Sequence, residues 1–225
     1  MLEAVIFDMD GVIIDSEASF LRSKQQLLRE LGVEVDVSYH YAFFGTTSVY
    51  TWTTLKETFG LVQPVEELIE RANALREAVL REEGMKPIPG VLDLIRHLHD
   101  SGIRLAVASS SPMADILHTV SRFQIQDCFS SFASGGECQN GKPFPDVFLL
   151  AAERLSVAPS VCLVIEDSRN GLLAAKAAGM ACIAFANPDY ARQDLKEADL
   201  IVTGFAGLTV ADCRQVWHSA RQLPD

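Results

Sequence analysis

Hydrophobic positions along this chain of 225 residues fall into two kinds of run. The first kind is short and unbroken: Ala4-Val5-Ile6-Phe7, Ile103 to Ala108, Val161 to Ile165 and Ala181 to Ala186. These runs are rich in β-branched residues and bounded by polar or turn residues, which predicts strands buried on both faces. Weaker runs near Ser131–Ser134 and at Leu200–Val202 add two more candidate strands.

The second kind recurs at helical spacing. Leu21, Leu28 and Leu31 define one face over 17–31, with Gly32 as the stop, and Asp15-Ser16 offers an N-cap. After Pro64, the positions Val65, Leu68, Ile69, Ala72, Leu75, Val79 and Leu80 mark a long amphipathic helix. Val91, Leu94, Ile95 and Leu98 mark another, ended by Ser101-Gly102, and two more are expected over about 146–155 and 171–178. Pro112 suits a first helical position and Ser111 its N-cap, so a further helix is expected to start there. Val49 to Phe59 is expected to be helical and Tyr39 to Ser48 irregular.

Strands that alternate with helices predict an α/β fold with a Rossmann-like, mostly parallel sheet. No strand pattern interrupts residues 17–84, which is more helix than one crossover requires. The expectation is an α/β core of residues 1–15 and 86–225, with a helical cap of residues 16–85 inserted in it. There is no internal repeat and no low-complexity tract.

Composition narrows the function classes. A hydrophobic content of 48% and a charged content of 22% suit a soluble globular protein. The net charge of −11 argues against nucleic acid or an anionic membrane as a main partner, since both call for basic patches. No apolar run approaches the roughly 18–20 residues of a membrane span. Glu3 and Asp8 break any signal-peptide core at the N-terminus. Cys128, Cys138, Cys162, Cys182 and Cys213 form no Cys-x-x-Cys pair, so they are expected to be reduced thiols of a cytoplasmic, monomeric protein. His97 and His99, two apart on one helix, cannot face one ligand, and all five histidines receive a surface or packing role.

The chemistry collects at strand ends. Asp8 and Asp10, with Gly11, follow the first strand; Ser109-Ser110-Ser111 and Glu166-Asp167 follow two others; Lys142 lies in a loop between strands. Open α/β sheets bind ligands just beyond the carboxyl ends of their strands. Close carboxylates repel unless a cation or a proton relieves them. An EF-hand loop does not explain Asp10-Gly11, because Val12, Ile13 and Ile14 follow where oxygen ligands are needed.

Residues 7–17, FDMDGVIIDSE, resemble the nucleophile motif of the haloacid dehalogenase superfamily, most closely its β-phosphoglucomutase-like phosphatase branch. Val107 to Ser111, Gly141-Lys142-Pro143-Phe144-Pro145-Asp146 and Ile165 to Ser168 are similar to its second, third and fourth motifs, in the family's order. The resemblance implies that Asp8 accepts a phosphoryl group as an aspartyl-phosphate and that Asp10 is the general acid/base. It implies that Ser109 and Ser110 bind phosphate and that Lys142 balances charge. Mg²⁺ is expected on Asp8, Asp10, Glu166 and Asp167. Singly, these residues read as helix caps or a solvated lysine; the four motifs in order do not.

Sugar-phosphate mutases of this family carry a cap His shortly after the first motif and an Arg in a Gly-x-Ser-Arg loop. Here Ala18, Ser19, Phe20 and Leu21 supply no His, and Gly45-Thr46-Thr47-Ser48 is followed by Val49 and Tyr50 rather than Arg. A phosphatase acting on a small phosphorylated metabolite, a sugar phosphate, is therefore expected, with a mutase as the alternative. A non-catalytic sensor is a third reading, and the intact carboxylates speak against it. Phe44, Thr46 and Thr47 are the expected substrate contacts of the cap, with Phe20, Lys24 and Trp52 as further candidates.

Overall fold

The computed structural model describes residues 1–43, 46–190 and 193–222. It divides into two compact units: Met1–Ile14 with Pro87–Asp225, and Asp15–Lys86. In chain order the strands are β1 (Ala4–Phe7), β2 (Arg104–Ser109), β3 (Ser131–Ser134), β4 (Cys162–Glu166), β5 (Ala181–Phe185) and β6 (Leu200–Val202). The helices are α1 (Glu17–Glu30), α2 (Ser48–Phe59), α3 (Val65–Glu83), α4 (Val91–Asp100), α5 (Met113–Arg122), α6 (Asp146–Arg154), α7 (Arg169–Ala177) and α8 (Val210–Ser219).

All six described strands lie in the first unit, in one sheet of order β3-β2-β1-β4-β5-β6. Each neighbouring pair is parallel. Such a sheet needs helices on its faces, which is why β1, β4 and β5 are buried along their whole length. One face presents Ala4, Ile6, Ala106, Ala108, Val164 and Ala184 to Phe148 of α6 and Leu172, Ala174 and Ala175 of α7. The small side chains let those helices approach closely, and the fully buried Phe148 fills the space between them. The second unit is helical, with a core of Leu27, Leu28, Phe43, Trp52, Leu55, Leu61, Leu68 and Ala72.

Register sets the location of the chemistry. Phe7 pairs with Val107 on one side and Ile165 on the other. The carboxyl ends of β1, β2 and β4 therefore stop at one level, and Asp8, Ser109 and Glu166 arrive at the same sheet edge.

Two helix starts differ from expectation for a local reason, and one helix went unread. Helix α5 starts at Met113; Pro112 occupies the N-cap position with an extended ψ of 149, so Ser111 is not the cap. Helix α7 starts at Arg169, because the Ser168 hydroxyl accepts from Gly171 N and caps it two residues early. Helix α8 was not expected, although Thr209 and Asp212 form a capping box and Cys213 is its buried apolar residue.

Candidate active site

The chain turns sharply after β1. Met9 O accepts from the backbone N–H groups of Val12, Ile13 and Ile14 at 3.3, 2.8 and 3.0 Å. Gly11 sits at φ +82, and a Cβ on it would lie 2.1 Å from Asp167 Oδ2. Glycine is needed there both for the backbone and for the carboxylate beside it. The end of β4 is built in a similar way. Ser168 donates from its N and Oγ to Glu166 Oε2, at 2.6 and 3.0 Å. A Cβ on Gly171, in the first turn of α7, would fall 1.6 Å from Glu166 Oε1.

Lys142 joins these two strand ends. Its loop is tied by Asn140 N to Asp146 Oδ2 at 3.0 Å and by Phe144 N to Gly141 O at 3.0 Å. The ammonium stands 4.8 Å from the Phe148 ring centroid. It donates to Asp8 Oδ1 at 2.6 Å and to Glu166 Oε1 at 2.7 Å. All three side chains are less than a tenth exposed.

Burial pushes the Asp8 carboxyl up to about 8; Lys142 pulls it down, while Glu166 and Asp10 add to the rise. Burial also works against a charged Lys142, but Asp8 and Glu166 outweigh it and hold the ammonium above its usual range. Asp8, Glu166 and Asp167 offer one oxygen each, all within 4.8 Å of one another. One ammonium stands against three carboxylates, which leaves negative charge for a cation to balance. A set of hard oxygen donors fits Mg²⁺.

Asp10, the fourth expected metal ligand, is not in that group among the described residues. Its Oδ2 accepts from Ser111 Oγ at 2.6 Å and from Ser109 Oγ at 3.4 Å. Ser109 is buried, and Ser110 is exposed at the edge of the site. Sequence reasoning placed Ser111 and Ser168 within the motifs but gave neither a role in holding a carboxylate, and it missed Gly171. Gly171 was visible only as a glycine three residues after a serine at a helix start.

In the helical unit, Thr46 Oγ1 donates to Phe43 O at 2.8 Å and lies 2.9 Å from Thr51 Oγ1, while Thr47 caps α2. Phe44 lies outside the described residues. Trp52 is core. Arg76 lies 3.8 Å above the Phe20 ring and donates to Ser19 Oγ at 3.4 Å. Lys24 is buried, and so is His40, whose two ring nitrogens have no hydrogen-bond partner among the described residues. Burial and the Lys24 charge push His40 down to about 4.

A parallel α/β sheet thus carries close carboxylates, a buried lysine and serines together at its carboxyl edge. Residues 5–185 match the family model of the haloacid dehalogenase-like hydrolases. The chain belongs to that family. It is 32% identical over 179 residues to a phosphorylated carbohydrates phosphatase of Thermotoga maritima, covering 80% of this chain and 82% of the relative. It is 33% identical over 217 residues to hexitol phosphatase B of Escherichia coli K12, covering 93% and 95%. Among solved structures, it is similar to β-phosphoglucomutase from Clostridium difficile, with a TM-score of 0.84 at 25% identity, over 97% of this chain and 98% of that one.

Proposed function

We propose that this protein is a Mg²⁺-dependent phosphatase of small phosphorylated sugars that works through an aspartyl-phosphate at Asp8. Its membership of the hydrolase family and its likeness to named phosphatases support phosphoric monoester hydrolysis. The observation that carries the reading is Lys142 bridging Asp8 and Glu166 beside Asp167, at the ends of β1 and β4.

In the first half-reaction an Asp8 oxygen attacks phosphorus, the Asp8 O–P bond forms and the ester P–O bond to the sugar breaks. Asp10 gives its proton to the leaving alkoxide. Ser109 donates to a phosphate oxygen, with Ser110 beside it, and Lys142 offsets the charge gathering on nucleophile and phosphate. In the second half-reaction Asp10, now a carboxylate, takes a proton from water as that water attacks phosphorus. The P–O bond to Asp8 then breaks, and inorganic phosphate leaves. Asp8, Glu166 and Asp167 would hold Mg²⁺, which supplies positive charge that eases the approach of one anion to another. Reduced thiols at all five cysteines support a cytoplasmic location, and we take the protein to act as a monomer on a small metabolite.

Purified protein with Mg²⁺ should release phosphate from members of a panel of hexose, hexitol and pentose phosphates. Asp8→Asn should lower that rate by about 10⁴-fold or more, as loss of a covalent nucleophile does. Comparable turnover by this variant, with its circular dichroism unchanged, overturns the reading.

A further inference from the structure

We infer that Ser111 is a positioning residue for Asp10, and that Ser134, at the end of the neighbouring strand, holds Ser111 in place. The inference rests on the proposed role of Asp10 as proton donor and acceptor. It starts from a helix cap that does not form. Ser111 has the residue type and the place of an N-cap for α5, yet Pro112 takes that position and no side chain caps the helix. The Ser111 hydroxyl is turned instead to Asp10 Oδ2, at 2.6 Å. That is a short hydrogen bond for a hydroxyl and a carboxyl oxygen. Ser109 reaches the same oxygen only at 3.4 Å, so Ser111 makes the stronger bond.

Ser111 is itself fixed from two further sides. Its backbone N–H donates to Ser109 Oγ at 3.0 Å, and its carbonyl accepts from Ser134 Oγ at 2.7 Å. Ser134 pairs with Ser109 in the β2–β3 register, which brings the two strand ends side by side. Ser134 N donates to Glu137 Oε2 at 3.0 Å, and Glu137 in turn pairs with Arg154 at 2.7 Å. A continuous chain of bonds thus runs from the outer end of β3 to the carboxyl group of Asp10.

Asp10 stands in a tight turn and is partly exposed. A general acid is effective only while its proton points at the leaving oxygen, so a short bond that orients its carboxyl group bears on catalysis. The bond at Oδ2 limits rotation of the Asp10 carboxyl group and so favours one rotamer for proton transfer.

The test separates positioning from phosphate binding by means of the leaving group. A sugar alkoxide needs a proton as it departs; p-nitrophenolate does not. kcat/KM covers the steps through departure of the leaving group, so it is measured for the best hexose or hexitol phosphate of the panel and for p-nitrophenyl phosphate. Asp10→Asn sets the full scale of selectivity. Ser111→Ala should lose about tenfold more on the sugar phosphate than on the aryl ester, while Ser111→Thr, which keeps a hydroxyl, should return the ratio towards that of the wild type. Ser134→Ala should show the same selectivity at smaller size, and it serves as the test if Ser111→Ala does not fold. Equal losses on both esters, or no loss on either, overturn the inference. If Asp10→Asn itself shows no selectivity between the esters, the proton-transfer role of Asp10 fails first, and that outcome is distinct from a failure at Ser111 alone.

Discussion

Gly171 carries no functional group, yet the position of Glu166 depends on it. A methyl group there would fall 1.6 Å from Glu166 Oε1, inside bonding distance. Gly171→Ala must therefore displace the carboxylate, and with it the 2.7 Å bond to Lys142 and the 2.6 Å bond from Ser168 N. Overpacking of this kind costs about 1–3 kcal/mol. The variant should melt at a lower temperature and lose most of its phosphatase activity, even though alanine is the better helix former in α7. A Gly171→Ala protein with unchanged activity and melting temperature would show that Glu166 relaxes freely. Glycine three residues after a capping serine is legible in sequence only as a helix feature; its clearance from Glu166 depends on how β4 runs into α7.

At the scale of elements, the helical unit bears on the choice between phosphatase and mutase. Ala18, Ser19, Phe20 and Leu21 supply no His, and the Phe20 ring lies under Arg76, whose guanidinium is 3.8 Å away. A second phosphate would call on a cation such as Arg76 or Lys24, and of these Arg76 is stacked on the Phe20 ring and Lys24 is buried. With β-glucose 1-phosphate and a bisphosphate primer, phosphorus NMR should show inorganic phosphate and no growth of glucose 6-phosphate. Faster growth of glucose 6-phosphate makes the protein a mutase. The same unit should also respond to acid through His40. An unfolded histidine titrates near 6.5, whereas the buried ring is held at about 4. The folded state thus refuses a proton that the unfolded chain accepts. The contribution is complete above pH 6.5 and declines as pH falls towards 4, by up to about 3 kcal/mol. Urea denaturation at pH 7 and pH 4.5 should show that loss, and His40→Gln should flatten it. A variant with the slope of the wild type would assign the acid sensitivity elsewhere.

For the whole molecule, the charge imbalance around Lys142 links metal to stability. Three carboxylates share one ammonium, so a cation that binds the folded site alone should raise the stability of the entire domain. The gain is about 2.7 kcal/mol when free Mg²⁺ is a hundredfold above its dissociation constant. Thermal melts with Mg²⁺ and with excess chelator should differ for the wild type and converge for Asp167→Asn. Chelator should also abolish turnover. If the melting temperature of the wild type ignores Mg²⁺ across the millimolar range, the cluster is not a metal site. No described helix is long and apolar enough to cross a membrane.

What the sequence determined by itself is whatever depends on neighbours along the chain. Unbroken apolar runs specified the strands, because a strand buried on both faces leaves no place for alternation. The polar residues that interrupt those runs placed Asp8, Ser109 and Glu166 at strand ends without reference to any distant residue. Helical spacing and stop signals placed seven of the eight α-helices among the described residues; α8 went unread despite its capping box. Tertiary structure alone decided which strand ends are neighbours, since periodicity does not encode strand order or register. The placing of β1 between β2 and β4 brings Lys142 onto Asp8, 134 residues away in sequence, and onto Glu166, 24 residues away. It also decided the fate of Ser111. Local chemistry offered that hydroxyl to the first turn of α5, but a carboxylate a hundred and one positions earlier stood 2.6 Å off and took it. Pro112 takes the cap position, and the carboxyl group that meets the Ser111 hydroxyl comes from the turn after β1, so no local pattern records the contact.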